Sequence, residues 1–138
     1  MPAVSNLSHP LAVRVYWEDT DAGGVVYYAN YLKFMERART EWLRALGVHQ
    51  EALRAQEGVQ FVVADMQVRY LAPAKLDDLL TVSVSVAEQG RASMLLEQQV
   101  WRGDTLLVQG QVRVGCVDTQ TLAPKRMPAS VLDALQSG

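Results

Sequence analysis

The chain has 138 residues, 49% of them apolar and 20% charged. That is the size of one folding unit, and a composition with 9 glycines and 5 prolines excludes a disordered or collagen-like chain. A net charge of -2, from 13 basic and 15 acidic side chains, offers no cationic face to nucleic acid or an anionic membrane. Cys116 is the single cysteine, so no disulfide forms within the chain, and beside only His9 and His49 it leaves no Cys/His-rich metal site and no cofactor to expect.

Met1–Pro10 carries no basic cluster followed by an apolar run, so it reads as a short extension and not as a signal peptide. No apolar stretch approaches the roughly 18 residues of a membrane span. A lone thiol fits a reducing compartment, and we expect a cytoplasmic protein. The domain itself is expected over residues 11–136.

Leu11–Trp17 alternates, with Val13 and Val15 on one face, and predicts a first strand. It gives way to Glu18-Asp-Thr-Asp21-Ala-Gly-Gly24, a loop of acidic and small residues. The period then changes. Tyr27, Tyr31, Phe34, Met35, Ala38, Trp42, Ala45 and Leu46 recur at helical spacing and predict one long amphipathic helix over Val26–Leu46, capped by Gly47. The aromatic members of that stripe are expected in the core, while Tyr28 falls off it and faces a ligand. A shorter helix is expected over His49–Gln56. The remainder reads as sheet: Phe61–Tyr70, Thr81–Ala87, a strand carrying Met94 to Val100, and a long last strand carrying Leu106 to Cys116. A short helix over Ser130–Leu135 ends the chain.

Strand, helix, then strands joined by tight turns is an antiparallel α+β order. There is no repeated βαβ unit and no Gly-rich phosphate loop. The economical packing is a curved antiparallel sheet of about five strands around one long central helix. One helix does not cover both faces of such a sheet. The valine face of Thr81–Ala87 therefore predicts cover by partner subunits, in a dimer at minimum and more readily a tetramer.

Val15-Tyr-Trp-Glu-Asp-Thr-Asp21-Ala-Gly-Gly-Val-Val-Tyr-Tyr-Ala-Asn-Tyr31 resembles the signature of hot-dog-fold acyl-CoA thioesterases of the 4-hydroxybenzoyl-CoA type, and most of all the subgroup associated with the Tol-Pal envelope system. Phe34-Met-Glu36-Arg-Ala-Arg39-Thr-Glu41, Val68-Arg-Tyr-Leu-Ala-Pro73-Ala-Lys-Leu-Asp-Asp78 and Val114-Gly-Cys-Val-Asp118 are similar to that subgroup too. The resemblance implies a hot-dog fold whose active sites form where two subunits pair. It implies that Asp21 is the catalytic carboxylate and that the backbone N–H of Tyr28 meets the thioester carbonyl. Members near the Tol-Pal subgroup often carry histidine where this chain has Tyr28, so no imidazole is expected to act there.

The residues fit such chemistry. A carboxylate in a strand-to-helix loop can attack a thioester carbonyl or take a proton from water. By pattern alone Asp21 is equally a turn or capping carboxylate, as is Asp19. The helix start offers free N–H groups to a developing oxyanion, and Gly24, Val25, Val26 and Tyr27 are expected to line the bound thioester. Glu36 and Arg39 read as an exposed pair on the helix, or as part of the partner's pocket. Arg91, Lys125 and Arg126 are the expected grips for the phosphates of an acyl-CoA substrate. Two other readings stand beside hydrolysis of acyl-CoA: a thioesterase acting on acyl carrier protein, with Lys125 and Arg126 next to the active-site mouth, and a low-activity oligomeric scaffold for envelope or lipid-synthesis proteins.

Overall fold

The computed structural model describes residues 9–137. Strand β1 (Leu11–Arg14) runs into a short 3-10 turn at Trp17–Asp19, helix α1 (Asn30–Ala45), helix α2 (Gln50–Ala52, prolonged by a π-type turn through Glu57), strands β2 (Val59–Tyr70), β3 (Leu79–Val82), β4 (Ser85–Gln89), β5 (Ser93–Arg102) and β6 (Thr105–Asp118), and helix α3 (Ala129–Ser137). The six strands form one antiparallel sheet in the order β1-β3-β5-β6-β2, with β4 paired to the end of β5. The result is an antiparallel α+β architecture of the hot-dog kind.

Helix α1 lies on one face of the sheet. Its buried side chains Tyr31, Phe34, Met35, Ala38 and Trp42 follow the spacing that sequence predicts, whereas Leu43, outside that stripe, is buried and Ala45, within it, is exposed. From the sheet, Val108, Val112, Val114 and Cys116 of β6 and Met94, Leu96 and Val100 of β5 meet them. Gly110 marks the closest approach: a Cβ there would stand 2.6 Å from Met35 Cε. A larger residue would force the end of the Met35 side chain to move. One polar side chain sits in this core. Gln98 of β5 is fully buried, and its Nε2 donates to the Met35 carbonyl of the helix at 2.9 Å. That bond satisfies a group whose burial would otherwise be costly.

Three expectations need correction. The helix begins at Asn30, four residues after Val26, because Val26 bridges Thr20 and Val25 bridges Lys75. Tyr27 therefore precedes the helix and is 46% exposed rather than in the core. The predicted strand Thr81–Ala87 is two strands: the chain breaks at Ser83-Val84, where the Ser83 N–H donates to the Gln99 carbonyl and its Oγ accepts from the Gln99 N–H. The valine face also needs no partner, since Val82 and Val84 are already buried within the chain and only Val86 is open. The opposite face of the sheet carries Gln67, Gln111 and Glu97 in one row and Arg69, Gln109 and Gln99 in the next. Water covers such a face adequately.

The edge strand β2 is different. It is 12 residues long and pairs on one side only, with β6. Val63 on it is 49% exposed. A long, partly apolar edge of this kind is a template for pairing with another chain.

Candidate active site

Residues 20–26 fold as a miniature hairpin. Thr20 faces Val26, the Asp21 N–H donates to the Val25 carbonyl at 2.9 Å, and the Gly24 N–H returns to the Asp21 carbonyl at 3.0 Å. Gly24 has φ of +81°, a conformation that favours glycine. Asp21 Oδ1 accepts from the Gly23 N–H at 2.8 Å, an Asx turn that fixes the carboxylate. A Cβ at Gly23 would stand 3.2 Å from that oxygen, so a larger residue there would have to displace the carboxylate slightly. Among the described residues nothing donates to Oδ2, and the side chain is exposed.

Asp19 has a different task. Its Oδ2 accepts from the Tyr16 N–H at 2.8 Å, and its carbonyl accepts from the Tyr27 N–H at 2.9 Å and from Asn30 Nδ2 at 2.8 Å. The two bonds to its carbonyl bind the loop to the residues that open the helix. Asn30 is buried, and sequence reading passed over it. Its signal was present: a polar residue between aromatic ones, at the point where the period changes.

Helix α1 has no side-chain cap at Ala29. Among the described residues, the N–H groups of Tyr28 and Ala29 find no acceptor. They are the orphan donors of a helix start, with the positive end of the helix dipole behind them. The Tyr28 ring is 61% exposed, 4.8 Å from the Tyr27 ring centre and 6.2 Å, edge-on, from that of Tyr70. The Tyr70 hydroxyl donates to the Tyr28 carbonyl at 3.1 Å. Behind this group the Tyr31 hydroxyl accepts from the Ala74 N–H at 2.9 Å, and burial raises the Tyr31 pKa. Val26, Tyr28, Tyr31, Tyr70, Leu71, Ala72 and Pro73 line a largely apolar groove of about 260 Å³. Asp21 does not line it.

Lys75 and Asp78 support the loop from the other side. Lys75 bridges Val25, and its N–H donates to Asp78 Oδ2 at 2.9 Å. Arg102 Nη1 reaches the same oxygen at 3.0 Å. Burial pushes the Asp78 pKa up, but these donors and their charge outweigh it and hold the carboxyl below the usual range.

Arg91, Lys125 and Arg126 are brought together, at the opposite end of the sheet. The Met127 N–H donates to the Arg91 carbonyl, the Lys125 N–H donates to the Cys116 carbonyl, and Lys125 Nζ lies 3.6 Å from Asp118. Arg102, at the loop end of β5, and Ser93, two residues from Arg91, are separated by the whole strand, about 30 Å at 3.3 Å per residue. Within one chain, Lys125 and Arg126 are not beside the active-site mouth. Glu36 and Arg39 are not an ion pair either. Thr40 Oγ1 donates to Glu36, while Arg39 Nη1 crosses to Gln98 Oε1 at 2.8 Å. Burial lowers the Arg39 pKa. Cys116 is buried, which raises its pKa, and it has no catalytic surroundings. Among the described residues no group of His, Cys, Asp and Glu is placed to hold a metal, and no helix is long and apolar enough to cross a membrane.

The fold and this loop define a class, and comparison with known proteins agrees. Residues 15–135 match the family model of the thioesterase-like superfamily, and the chain belongs to that family. It is similar to acyl-CoA thioesterase YbgC of Haemophilus influenzae, at 48% identity over 119 residues, covering 86% of this chain and 88% of that protein. It is likewise 47% identical to acyl-CoA thioester hydrolase YbgC of Escherichia coli O6:H1 over 121 residues, covering 87% of this chain and 90% of the other. Among solved structures, a probable thioesterase from Bartonella henselae superposes with a TM-score of 0.83 at 36% identity, over 87% of this chain and 98% of that one. A 1,4-dihydroxy-2-naphthoyl-CoA thioesterase from Synechocystis shares the fold with a TM-score of 0.86 at 19% identity, over 93% and 95% of the two chains. The protein is thus a hot-dog-fold thioesterase closely related to the YbgC-type enzymes.

Proposed function

We propose that this protein hydrolyses acyl-CoA thioesters to free acid and CoA, with Asp21 as the reacting carboxylate and the Tyr28 amide as the oxyanion donor. The observation that carries this reading is the pair of unclaimed N–H groups at Tyr28 and Ala29, on the same loop as a carboxylate with one free oxygen. Asp21 Oδ2 attacks the thioester carbon and expels CoA as its thiolate, which takes a proton from solvent water, leaving an anhydride that a second water opens to the free acid and the Asp21 carboxylate. Alternatively it takes a proton from the water that attacks. In both routes the carbonyl oxygen gains negative charge, and a preorganised N–H stabilises it without reorganisation. Gly24, Val25, Val26 and Tyr27 form the wall along which the thioester lies.

The site is completed by a second copy. Antiparallel pairing of β2 with its twofold mate sets the Val59 end of one chain beside the Tyr70 end of the other. Tyr70 touches Tyr28, and Lys125 Nζ stands 3.9 Å from where a Gly58 Cβ would be, next to Val59. The partner subunit's Arg91, Lys125 and Arg126 then supply the cations for the CoA phosphates of this chain's site. A homodimer is the working unit, and a tetramer is two such dimers. The sheet wraps α1 as in the hot-dog architecture, within one domain over residues 11–136. The compartment is the cytoplasm, and the biological setting is that of the Tol-Pal-associated subgroup.

Asp21→Asn tests the reading. It keeps the fold and CoA affinity and loses turnover on every acyl-CoA. Hydrolysis by the variant at the parent rate would remove Asp21 from the mechanism.

A further inference from the structure

A second cavity lies between the middle of α1 and strands β2, β5 and β6, with a volume of about 110 Å³. Leu43, Phe61, Val63, Met94, Leu96 and Val114 make most of its wall apolar. Its polar rim is largely self-satisfied: Gln50 Nε2 donates to Thr40 Oγ1 at 3.3 Å, and Thr40 donates to Glu36 Oε1 at 3.2 Å. Arg39 is the exception. Its Nη1 is held by Gln98, which is itself anchored on the Met35 carbonyl, so the guanidinium is fixed in direction. Among the described residues no carboxylate forms an ion pair with it, and its Nε and second Nη donate to none of them. Arginine presents five donors in a planar fork. Here a single donor is used and the group is half-buried.

We infer that this cavity is a carboxylate-binding subsite, in which a ligand carboxylate takes the free side of the Arg39 fork and its first methylenes fill the apolar wall. The size fits: the space holds roughly three or four waters, or one carboxylate and a carbon or two. The energetics fit as well. A half-buried cation lacks full hydration, so an anion in contact with it gains more than it would at an open surface. Burial weakens the hold of Arg39 on its proton, the Glu36 carboxylate on the cavity rim offsets part of that penalty, and a ligand anion in direct contact would offset more. Two sources share this chemistry. One is the far end of a substrate acyl chain that carries a second carboxylate. The other is a free carboxylic acid, such as the hydrolysis product. Arg39 lies about 14 Å along the helix from Asn30, at 1.5 Å per residue, so an acyl chain must have about a dozen carbons to reach it. The acyl-chain source rests on the thioesterase reading; binding of a free acid does not.

Two measurements on the intact protein test this. In the first, glutarate, adipate and hexanoate are titrated against wild type, Arg39→Lys and Thr40→Leu, and binding is followed by calorimetry. Lysine keeps the charge and loses the fork, while leucine fills the cavity without touching the Arg39–Gln98 bond. Saturable binding to wild type that falls about tenfold or more in both variants is expected. In the second, hydrolysis of dodecanedioyl-CoA, whose chain is long enough for the interval, is compared with that of dodecanoyl-CoA. A preference of wild type for dodecanedioyl-CoA that Arg39→Lys abolishes marks the acyl chain as the source. Binding of the free acids without such a preference marks the free acid. Absence of both effects in folded wild type overturns the inference, while hydrolysis of neither ester bears on the thioesterase reading alone.

Discussion

The two ends of the sheet hold the expected site residues in different ways. At the Asp21 end, position is set by backbone: the Asp19 carbonyl, the Asx turn and the bridges from Val25 and Val26 fix the loop, and the groups proposed to react are those left without partners. At the far end, Arg91, Lys125 and Arg126 are exposed charges on flexible stems, tied mainly through their own backbone. The first arrangement suits chemistry, which needs fixed geometry. The second suits capture of a large anion, which needs reach and charge. They lie about 30 Å apart in one chain, and in the proposed homodimer pairing across the edge strand β2 brings the ends of two chains together.

Altering one end should therefore leave the signature of the other intact. The largest effect is expected from Asp21→Asn, with kcat falling roughly 10³-fold at unchanged KM, as for loss of an acid–base or nucleophilic group. An effect of that size on KM instead would reassign Asp21 to binding. Next is Val63→Lys on the β2 edge. It is expected to turn the dimer into monomer in sedimentation and to lower kcat/KM about 100-fold, since the site then lacks its second half. A monomer with full activity would show that one chain is sufficient. Lys125→Glu with Arg126→Glu comes third. It is expected to raise KM about tenfold, flatten the salt dependence of KM, and leave kcat in place. Tyr28→Phe is expected to change kcat less than about twofold, because the donor is the backbone and not the phenol. Stability against pH gives the smallest effect. Asp78 has a depressed folded pKa, so its pairing with Arg102 is fully present above the ordinary carboxylate pKa of about 3.9 and is lost as pH falls through the lower folded value. Asp78→Asn is expected to flatten the acid limb of Tm against pH, by about 1 kcal/mol or less for a partly exposed pair. An unchanged acid limb would detach Asp78 from it.

Much of this was legible in the chain itself. The helical stripe from Tyr31 to Trp42 and the alternation around Val112 are local periodicities, and folding respects them. What was hidden depends on distant partners. Apolar spacing continues back through Val26, but Lys75 and Thr20 claim Val25 and Val26 for bridges, and nothing local says so. Val82, Val84 and Val86 keep a strand period across a break that Gln99 makes through Ser83. Arg39 reads as the helical neighbour of Glu36, yet a buried glutamine on β5 captures it. The basic residues had a readable identity and no readable address, since an exposed lysine carries no pattern of its own.

The central claim is that the Asp21 end of one chain works with the basic end of its partner. A mixed dimer tests it directly: one chain carries Asp21→Asn, and the other carries Lys125→Glu with Arg126→Glu. The geometry across β2 predicts one fully native site, with the wild-type KM and half the wild-type turnover, although each parent homodimer is defective. If the mixed dimer keeps the raised KM of the basic-end variant, each site draws its cations from its own chain and the account is contradicted.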